Sequence, residues 1–309
     1  MAHDDTTTFH SFRRLLDTHQ QSYEDYVLSD SRYTGLLTFL DAHLLDGARG
    51  TVVDIGCGAG SVSRGLAGRF DKVIGIDQNP DNIALATQLT SESGLGNVHY
   101  EAGAATALPL ESGVADLAVL NGVLEWVGLN DQGENPQARQ RQVLGEVLRI
   151  LKPRGRLYLA IENRWHPRTL LRDPHTHLPL VNALPRRLAS VISRAKTGKP
   201  FQAYIYGYAK LQRLLADAGF GGSHVYVAFP GYQHPSHYIP IDSRDAALAA
   251  IDRIDKPAVE ALGRERGQEM DVSRAVERLR SHAKWGLLGL LAHDFALLAA
   301  KSDGVSSGH

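Results

Sequence analysis

Three scarcities limit what this chain of 309 residues can be. It contains one cysteine, Cys57, so no disulfide can form within the chain, which is typical of a reducing compartment and predicts a cytoplasmic protein. The 33 basic and 34 acidic side chains nearly balance, so no nucleic-acid partner is predicted, because such a partner usually needs a basic face. The most apolar run, Trp285 to Ala300, is interrupted by His293 and Asp294 and falls short of the about 20 residues that span a membrane. No integral membrane segment is therefore predicted.

The most informative feature that is present is a short apolar strand, Val52 to Ile55, followed by a turn with glycines at positions 56, 58 and 60. A second strand, Lys72 to Asp77, ends on an acid about 20 residues after the first glycine. Glycine lets backbone amides approach a ligand closely, and it adopts turn dihedral angles that a Cβ disfavours. In doubly wound folds an acid at the end of the second strand holds ribose hydroxyls. Together the two features predict a nucleoside cofactor.

The spacing of the glycines separates two classes of cofactor. A dinucleotide fingerprint reads G-x-G-x-x-G, but Ser61 stands at the third glycine position here and Gly60 comes one residue early. The run VVDIGCGAG, followed by VIGIDQNPDNIALA, resembles the first two motifs of class I S-adenosylmethionine-dependent methyltransferases. Residues 103–121 and 143–160 are similar to later segments of that family, in the same order. S-adenosylmethionine is therefore the cofactor that the resemblance implies.

The resemblance and the alternation of strands with helices predict an α/β fold. It is a doubly wound, seven-stranded, Rossmann-like methyltransferase sheet with an N-terminal helical cap and two insertions. Strands are expected at 51–55, 72–77, 97–101, 115–120, 155–161, 224–229 and 295–300, the last one antiparallel to its neighbours. The predicted units are the helical cap at 1–49, the cofactor-binding core at 50–162, a substrate-side insertion at 163–203, a core helix with strand six at 204–230, a second and mainly helical insertion at 231–293, and the last strand with a tail at 294–309.

Ligands of such sheets bind beyond the carboxyl ends of the parallel strands. The predicted cofactor-binding residues are accordingly Asp54, Gly56, Cys57, Gly58, Gly60, Asp77, Gln78, Ala104, Ala105 and Asn121. Three of them have other interpretations: Asp77 could cap a helix, Asp54 could order the glycine turn, and Cys57 could satisfy only a need for a small side chain. Ala104 stands where the family commonly has an acid beside the adenine, so adenine recognition is expected from backbone groups near Ala105.

The first insertion carries the most unusual chemistry. Glu162 ends the fifth strand, and His175 and His177 follow in a segment where an acceptor is expected to lie. Histidine titrates near neutral pH, so His175 and His177 are candidate catalytic bases for an acceptor hydroxyl, with Glu162 as an orienting partner or second base. A polar loop whose histidines bond the backbone is the alternative. The two histidines could be paired metal ligands, but no partner at a fixed spacing completes a set, so no metal is predicted.

Seven further side chains are candidate substrate-binding residues: Tyr26, Tyr33, Glu125, Trp126, Arg164, Tyr206 and His234. Tyr26 and Tyr33 lie in the predicted cap, which closes over the cofactor in the family, and core packing of the cap helices is the alternative. Glu125 follows the fourth strand in a segment that passes under the methionine end of the cofactor in the family. A solvated acid on a helix is the alternative for Glu125.

The predicted reaction is O-methylation of a small molecule or glycan-type acceptor, and N- or C-methylation is the alternative. Positioning of the acceptor supplies much of the rate of such an in-line displacement. Residues 161–189 and 203–235 are similar to a bacterial subgroup linked to polysaccharide or secondary-product biosynthesis, which is the reason to expect a glycan-type acceptor. A nicotinamide-dependent oxidoreductase is disfavoured by Ser61. A non-catalytic cofactor-binding partner protein stays open, and so does a homodimer.

Overall fold

The computed structural model describes residues 31–44, 50–129, 135–265 and 270–302, with an eight-stranded mixed sheet at their centre. The order of the strands across the sheet is β3-β2-β1-β4-β5-β8-β6-β7. In chain order the strands are β1 (Thr51–Ile55), β2 (Lys72–Asp77), β3 (Val98–Ala102), β4 (Ala115–Asn121), β5 (Leu151–Glu162), β6 (Phe220–Phe229), β7 (His237–Pro240) and β8 (Asp294–Lys301).

The directions of the strands bring several chain segments to one edge of the sheet. Strands β1 to β5 are parallel, and β8 is antiparallel to its two neighbours, β5 and β6. The carboxyl ends of β1, β2, β4, β5 and β6 therefore share an edge with the amino end of β8. The strand order reverses between β1 and β4, which is the switch point where doubly wound sheets bind ligands.

Helices connect β1 to β2, β2 to β3 and β4 to β5, as is usual for crossovers between parallel strands. Asn79 accepts the N–H group of Asp81 and Pro80 begins the helix after β2, so this helix has the start that its sequence predicts. The helices of the described residues are α1 (Ser31–His43), α2 (Ser61–Leu66), α3 (Pro80–Glu92), α4 (Pro136–Ile150), α5 (Pro167–Leu171), α6 (Arg186–Thr197), α7 (Tyr208–Asp217), α8 (Arg244–Asp252), α9 (Lys256–Glu265), α10 (Val272–Lys284) and α11 (Leu288–Leu291), with a 3₁₀ turn at Leu124–Trp126. Over the described ranges, none of them is both long and apolar enough to cross a membrane.

Each face of the sheet buries its own hydrophobic core, because successive side chains of a strand point to opposite faces. Val53 and Leu144 of α4 belong to one core. Val52 and Phe39 of α1 belong to the other. Strand β1 is thus covered on both sides, which explains its continuous apolar sequence.

The predicted number of strands was wrong by one. The predicted second insertion, expected to be mainly helical, contains β7, which pairs antiparallel with β6. The side chain of Ile239 in this strand is fully buried. Four residues are too few to show an alternating pattern, and a closing proline favours a loop in a sequence, so only the pairing with an open sheet edge identifies this strand.

Two predicted strands begin four residues earlier in the structure. Strand β5 begins at Leu151, because Leu151 pairs with Ala115 of β4. Strand β6 begins at Phe220, where it pairs with the end of β8. In the apolar run from Trp285, the helix α11 has only four residues, and Trp285 is exposed.

Candidate active site

The glycine turn after β1 is held by hydrogen bonds to the end of β2. The N–H groups of Gly56 and Cys57 donate to the carbonyl oxygen of Ile76 at 2.7 and 3.0 Å. The N–H group of Gly58 donates to Asp77 Oδ2 at 3.0 Å. The other carboxylate oxygen of Asp77 accepts a backbone N–H group that precedes α3, at 2.8 Å. Asp77 therefore orders the turn and the start of a helix, and its contact with a ribose stays a prediction.

The three positions of the turn are glycine for different physical reasons. All have left-handed backbone angles, with φ of 72° at Gly56, 53° at Gly58 and 77° at Gly60. A Cβ on Gly56 would lie 2.6 Å from a methyl carbon of Val123, and one on Gly60 would collide with Tyr100. A Cβ on Gly58 would meet nothing within 4 Å. Packing thus requires Gly56 and Gly60, whereas Gly58 faces the space that a ligand can enter.

Asp54 supports the turn from below. Its side chain is buried on β1, and Asp54 Oδ2 accepts the hydroxyl of Ser63 in α2 at 2.6 Å. Burial raises the pKa of Asp54 to about 6, although the Ser63 hydrogen bond and the charge of Arg32 lower it. The bond joins β1 to the helix that follows the glycine turn, and a contact of Asp54 with the cofactor stays a prediction.

A cleft of about 60 Å³ lies between the glycine turn and the end of β4. Ser61 Oγ and Asn121 Oδ1 are buried beside it and have no hydrogen-bond partner among the described residues. Buried polar atoms normally have partners, so these two indicate a polar ligand. The volume is below the about 300 Å³ of small ligand pockets, so the cleft has room for only part of such a ligand. Arg32 of α1 also lines the cleft. The sequence did not indicate this role, because Arg32 lies far from the glycine motif in the chain.

The other predicted cofactor residues lie at the same edge of the sheet. Gln78 and Ala104 are exposed beyond β2 and β3, and Ala105 packs partly against the core. Cys57 Sγ lies 3.1 Å from the place that a Cβ on Gly75 would take, and burial raises the pKa of the thiol far above its usual range. A thiol held protonated in a tight space is a packing group, so the structure supports the small-residue interpretation of Cys57.

A cluster of two acids and a histidine lies at the ends of β4 and β5, and we call Glu125, Glu162 and His175 the Glu–His cluster. One oxygen or ring nitrogen of each lies within 4.8 Å of the others. Glu162 Oε2 is 3.8 Å from His175 Nε2. The hydroxyl of Tyr232 donates to Glu162 Oε1 at 3.1 Å and approaches Glu125 Oε1 at 3.4 Å. Burial, reinforced by the neighbouring Glu162, raises the pKa of Glu125 well above its usual range.

A cavity of about 640 Å³ has Tyr232 in its wall. Its volume is that of a small-molecule site. Both insertions contribute to its wall, with Arg168 and Pro174 from the first and His234 and Met270 from the second. A Cβ on Gly122, which lines the cofactor-side cleft, would collide with the ring of Tyr232. Tyr232 therefore lines the cavity and packs against a residue that lines the cleft.

His293 and Asp294 face this cavity from the amino end of β8. His293 Nδ1 lies 3.1 Å from Asp294 Oδ2, and that carboxylate also accepts the N–H group of Tyr232 at 2.9 Å. The hydrogen bond to Asp294 raises the pKa of His293, and burial raises the pKa of Asp294. This pair was missed as a site, although its signal was visible: it is the polar interruption of the last apolar run.

The predicted catalytic residues are only partly brought together. Glu162 lines the cavity, and His175 lies beside Glu162 with a side chain that is 1% exposed. His177 is exposed, has a φ of 56°, and is not a member of the Glu–His cluster. The alternation of side chains along an extended segment suggested a pair, but the turn at Asp173 sends the two histidines to different environments.

Two predicted substrate residues have structural partners. The guanidinium of Arg164 donates to the carbonyl oxygens of Asn182 and Leu184 at 3.0 and 3.4 Å, which ties the first insertion together. Tyr206 is buried and donates to Gln140 Oε1 at 2.6 Å. The contacts of these side chains are those of structural groups, because their polar atoms bond to the protein.

The aromatic candidates lie in other places. A Cβ on Gly65 of α2 would collide with Tyr33, so Tyr33 packs between helices. The ring of Trp126 meets that of His175 edge-on, with centroids 4.6 Å apart, and Trp126 is 54% exposed. His234 does line the cavity. Tyr26 lies outside the described residues.

Comparison with known families matches residues 47–219 to a methyltransferase domain. That range is more than half of the chain. The chain belongs to this methyltransferase domain family. The enzyme class and the cofactor, S-adenosylmethionine, are those that the order of the motifs predicted. The predicted bacterial subgroup is a finer statement than the match supports.

Relatives of this methyltransferase act on different atoms. It is 33% identical over 135 residues to the probable cobalt-precorrin-6B C(15)-methyltransferase (decarboxylating) of Methanothermobacter thermautotrophicus, covering 41% of this chain and 62% of the relative. It is 34% identical over 130 residues to the ubiquinone biosynthesis O-methyltransferase of Burkholderia pseudomallei, covering 41% and 50%. The chain thus spans between half and two thirds of the length of these curated relatives.

Solved structures share the fold at low identity. The Haemonchus contortus phospholethanolamine N-methyltransferase 2, in complex with phosphomonomethylethanolamine and S-adenosylhomocysteine, has a TM-score of 0.52 and 17% identity, covering 95% of this chain and 60% of that one. The 4+2 cyclase SpnF has a TM-score of 0.50 and 18% identity, covering 89% and 81%. At these identities the likeness concerns the fold alone, and the fold does not define the reaction.

Proposed function

We propose that this methyltransferase binds S-adenosylmethionine at the glycine turn and methylates a hydroxyl of a small molecule held in the large cavity. The observation that carries this proposal is that Tyr232 lines the cavity and packs against Gly122, which lines the cleft. An in-line displacement needs donor and acceptor within about 3–3.5 Å of each other. The contact between Gly122 and Tyr232 is therefore the place where we expect the methyl donor and the acceptor to meet.

The residues of the cleft fit the two ends of the cofactor. Gly58 offers open space for the close approach of a nucleoside, with Asp77 beside it for ribose hydroxyls. Arg32 and the unpartnered oxygens of Ser61 and Asn121 suit the carboxylate and ammonium groups of the methionine end. When bound, S-adenosylmethionine supplies an electrophilic methyl group on a sulfonium.

We assign the role of base to His293, held by Asp294. In its neutral form, the imidazole would accept the proton of the acceptor hydroxyl, while bound S-adenosylmethionine would supply the methyl group. Asp294 orients the ring through Nδ1, which leaves Nε2 for the acceptor. Glu162 lines the same cavity and stays a second candidate, as predicted from the sequence. His175 is enclosed beside Glu162, so in this proposal it acts through that residue rather than on the acceptor.

The proposal also covers the class of acceptor, the cellular location and the oligomeric state. The cavity volume suits a small molecule or the end of a glycan-type acceptor, and a biosynthetic role follows from either. A carbon acceptor would also use a base, whereas an amine acceptor would need little help once it is deprotonated. The cytoplasmic location and the homodimer stay predictions. A non-catalytic partner protein is the second class of function that an experiment must separate.

The test compares two glycines with similar backbone angles. Gly58→Ala adds a methyl group to the cofactor-side cleft at φ 53°, and Gly94→Ala adds one to open space after α3 at φ 67°. Both substitutions cost about 1–2 kcal/mol of stability, because a Cβ is strained at these angles. Only Gly58→Ala is expected to weaken S-adenosylmethionine binding, by about tenfold or more, which corresponds to about 1.4 kcal/mol.

The activity is measured as transfer of labelled methyl groups from S-adenosylmethionine into fractions of a cell extract. Label in a small-molecule or glycolipid fraction, reduced with Gly58→Ala and retained with Gly94→Ala, is the expected result. Label confined to protein or RNA would refute the acceptor class. Tight cofactor binding with no label in any fraction would favour the non-catalytic role.

A further inference from the structure

The Glu–His cluster brings together groups that repel one another or leave one another unsatisfied. Glu125 is fully buried, Glu162 is 9% exposed, and the side chain of His175 is 1% exposed. The 3.8 Å between Glu162 Oε2 and His175 Nε2 is too long for a hydrogen bond. Two ligands of one ion, each about 2.0–2.2 Å from it, lie about 3–3.5 Å apart, so a small contraction would bring these atoms to ligand spacing.

Each of the three side chains has a buried polar atom without a hydrogen-bond partner among the described residues. Glu125 Oε2, Glu162 Oε2 and His175 Nδ1 have no hydrogen bond within the described structure, and each is inaccessible to solvent. Tyr232 supplies one hydroxyl for the two carboxylates, on their other oxygens. Among the described residues no lysine or arginine forms an ion pair with Glu125 or Glu162. Two charged carboxylates buried together are costly, and either a proton shared between them or a bound cation relieves that cost.

The chemistry of the ligands selects the kind of ion. Mg²⁺ and Ca²⁺ prefer sites made of oxygen atoms. Two carboxylates and an imidazole suit Zn²⁺ or Mn²⁺ instead, and three protein ligands leave a position for water or a substrate oxygen. Glu162 also lines the large cavity, so the open position would face the space where an acceptor is proposed to bind.

We propose that Glu125, Glu162 and His175 bind a divalent transition-metal ion, Zn²⁺ or Mn²⁺, at the wall of the large cavity. The sequence predicted no metal because its visible pair was His175 and His177, whereas the structure completes the set with two acids from the ends of different strands. The binding of the ion does not depend on the reaction. Its role, holding an acceptor oxygen and lowering the pKa of the hydroxyl, rests on the proposed function.

The test titrates the metal-free full chain with Zn²⁺ by calorimetry and with Mn²⁺ by electron paramagnetic resonance, with Mg²⁺ as a comparison. One ion per chain is expected, with weaker binding of Mg²⁺. Glu125→Gln, Glu162→Gln and His175→Ala should each reduce the affinity by about tenfold or more, since each removes one of three ligands. Glu92→Gln and His224→Ala, which change exposed side chains outside the cluster, should leave the affinity unchanged.

The glutamines keep the shape of the site, and thermal unfolding of each variant shows that it is folded. Absence of binding at millimolar metal would overturn the proposal and indicate that the two carboxylates share a proton instead. Binding that survives all three substitutions in the cluster would also overturn it. S-adenosylmethionine binding measured on the same samples separates the outcomes, because loss of metal binding with intact cofactor binding refutes this inference and leaves the proposed function standing.

Discussion

The two parts of the candidate site, the cofactor side at the glycine turn and the cavity side, are made of different kinds of groups. The cofactor side consists of a glycine turn whose backbone amides bond to the end of β2, within about 20 residues of chain. The cavity side consists of charged side chains from the ends of β4, β5 and β8 and from both insertions. A local backbone motif needs particular residues at particular spacings, whereas a pocket of side chains needs only that the fold bring them together. Motifs can therefore identify the first kind of site in one sequence, and they do not identify the second.

Removal of the assigned base, His293, is the strongest test of the difference between the two sides. His293→Ala is expected to lower kcat by about 10²–10⁴-fold with little change in S-adenosylmethionine binding, because the residue lies on the cavity side only. Steady-state kinetics on an identified acceptor measures the change, and His224→Ala, an exposed histidine of β6, is the control. An unchanged kcat would exclude His293 as base.

The pH dependence of the same enzyme sharpens the assignment. A base must be deprotonated, and the bond to Asp294 raises the pKa of His293. The acid limb of the kcat/KM profile should therefore lie above the ordinary histidine value of about 6.5. A limb at or below that value would contradict a histidine paired with Asp294.

Substitution of Asp54 tests whether its buried charge lowers the stability of the folded protein. Its pKa is raised from 3.8 to about 6 by burial, so folding favours the protonated form and stability falls as pH rises through this interval. Asp54→Asn should therefore raise the free energy of unfolding by about 3 kcal/mol above pH 7 and by much less near pH 4. Denaturation at both pH values measures the effect, with the exposed Asp41→Asn as control. Equal effects at the two pH values would show that burial of charge at Asp54 is not the cause.

Substitution of Asp77 should have the smallest effect of the four changes, and only on S-adenosylmethionine binding. Asp77→Asn keeps the shape but weakens the charge-assisted hydrogen bond from the N–H group of Gly58, which is worth about 1.5–3 kcal/mol. S-adenosylmethionine affinity should fall about tenfold or more, and metal binding at the Glu–His cluster should not change. Loss of both would show that the two sides are coupled through the sheet rather than separate.

Much of the fold could be predicted, for an identifiable reason. Strands β1, β2 and β4 are covered on both faces, so their apolar runs are continuous, and Asn79 with Pro80 marks the start of α3. Strand β7 could not be predicted, because four residues carry no period and an edge strand exists only through its partner. The early start of β5 was hidden for the same reason, since pairing with Ala115 overrides the turn signal of Pro153.

The candidate site divides along the same line. Gly56, Gly58 and Asp77 were predicted because steric limits on a tight turn act over neighbouring residues. Arg164 and Tyr206 were predicted as substrate residues, but tertiary contacts use their polar groups within the protein. The interactions that decide their roles join residues far apart in sequence, which one sequence does not display.

By itself the sequence determined the cofactor turn, the parallel half of the sheet and the family, because these depend on periodicity and on the dihedral limits of nearby residues. The tertiary structure decided which acids meet which histidines. Glu125, Glu162 and His175 converge from three segments, and the hydroxyl of Tyr232 donates to one of the two acids. Because the carboxylates are buried, their charge depends on the groups that lie beside them.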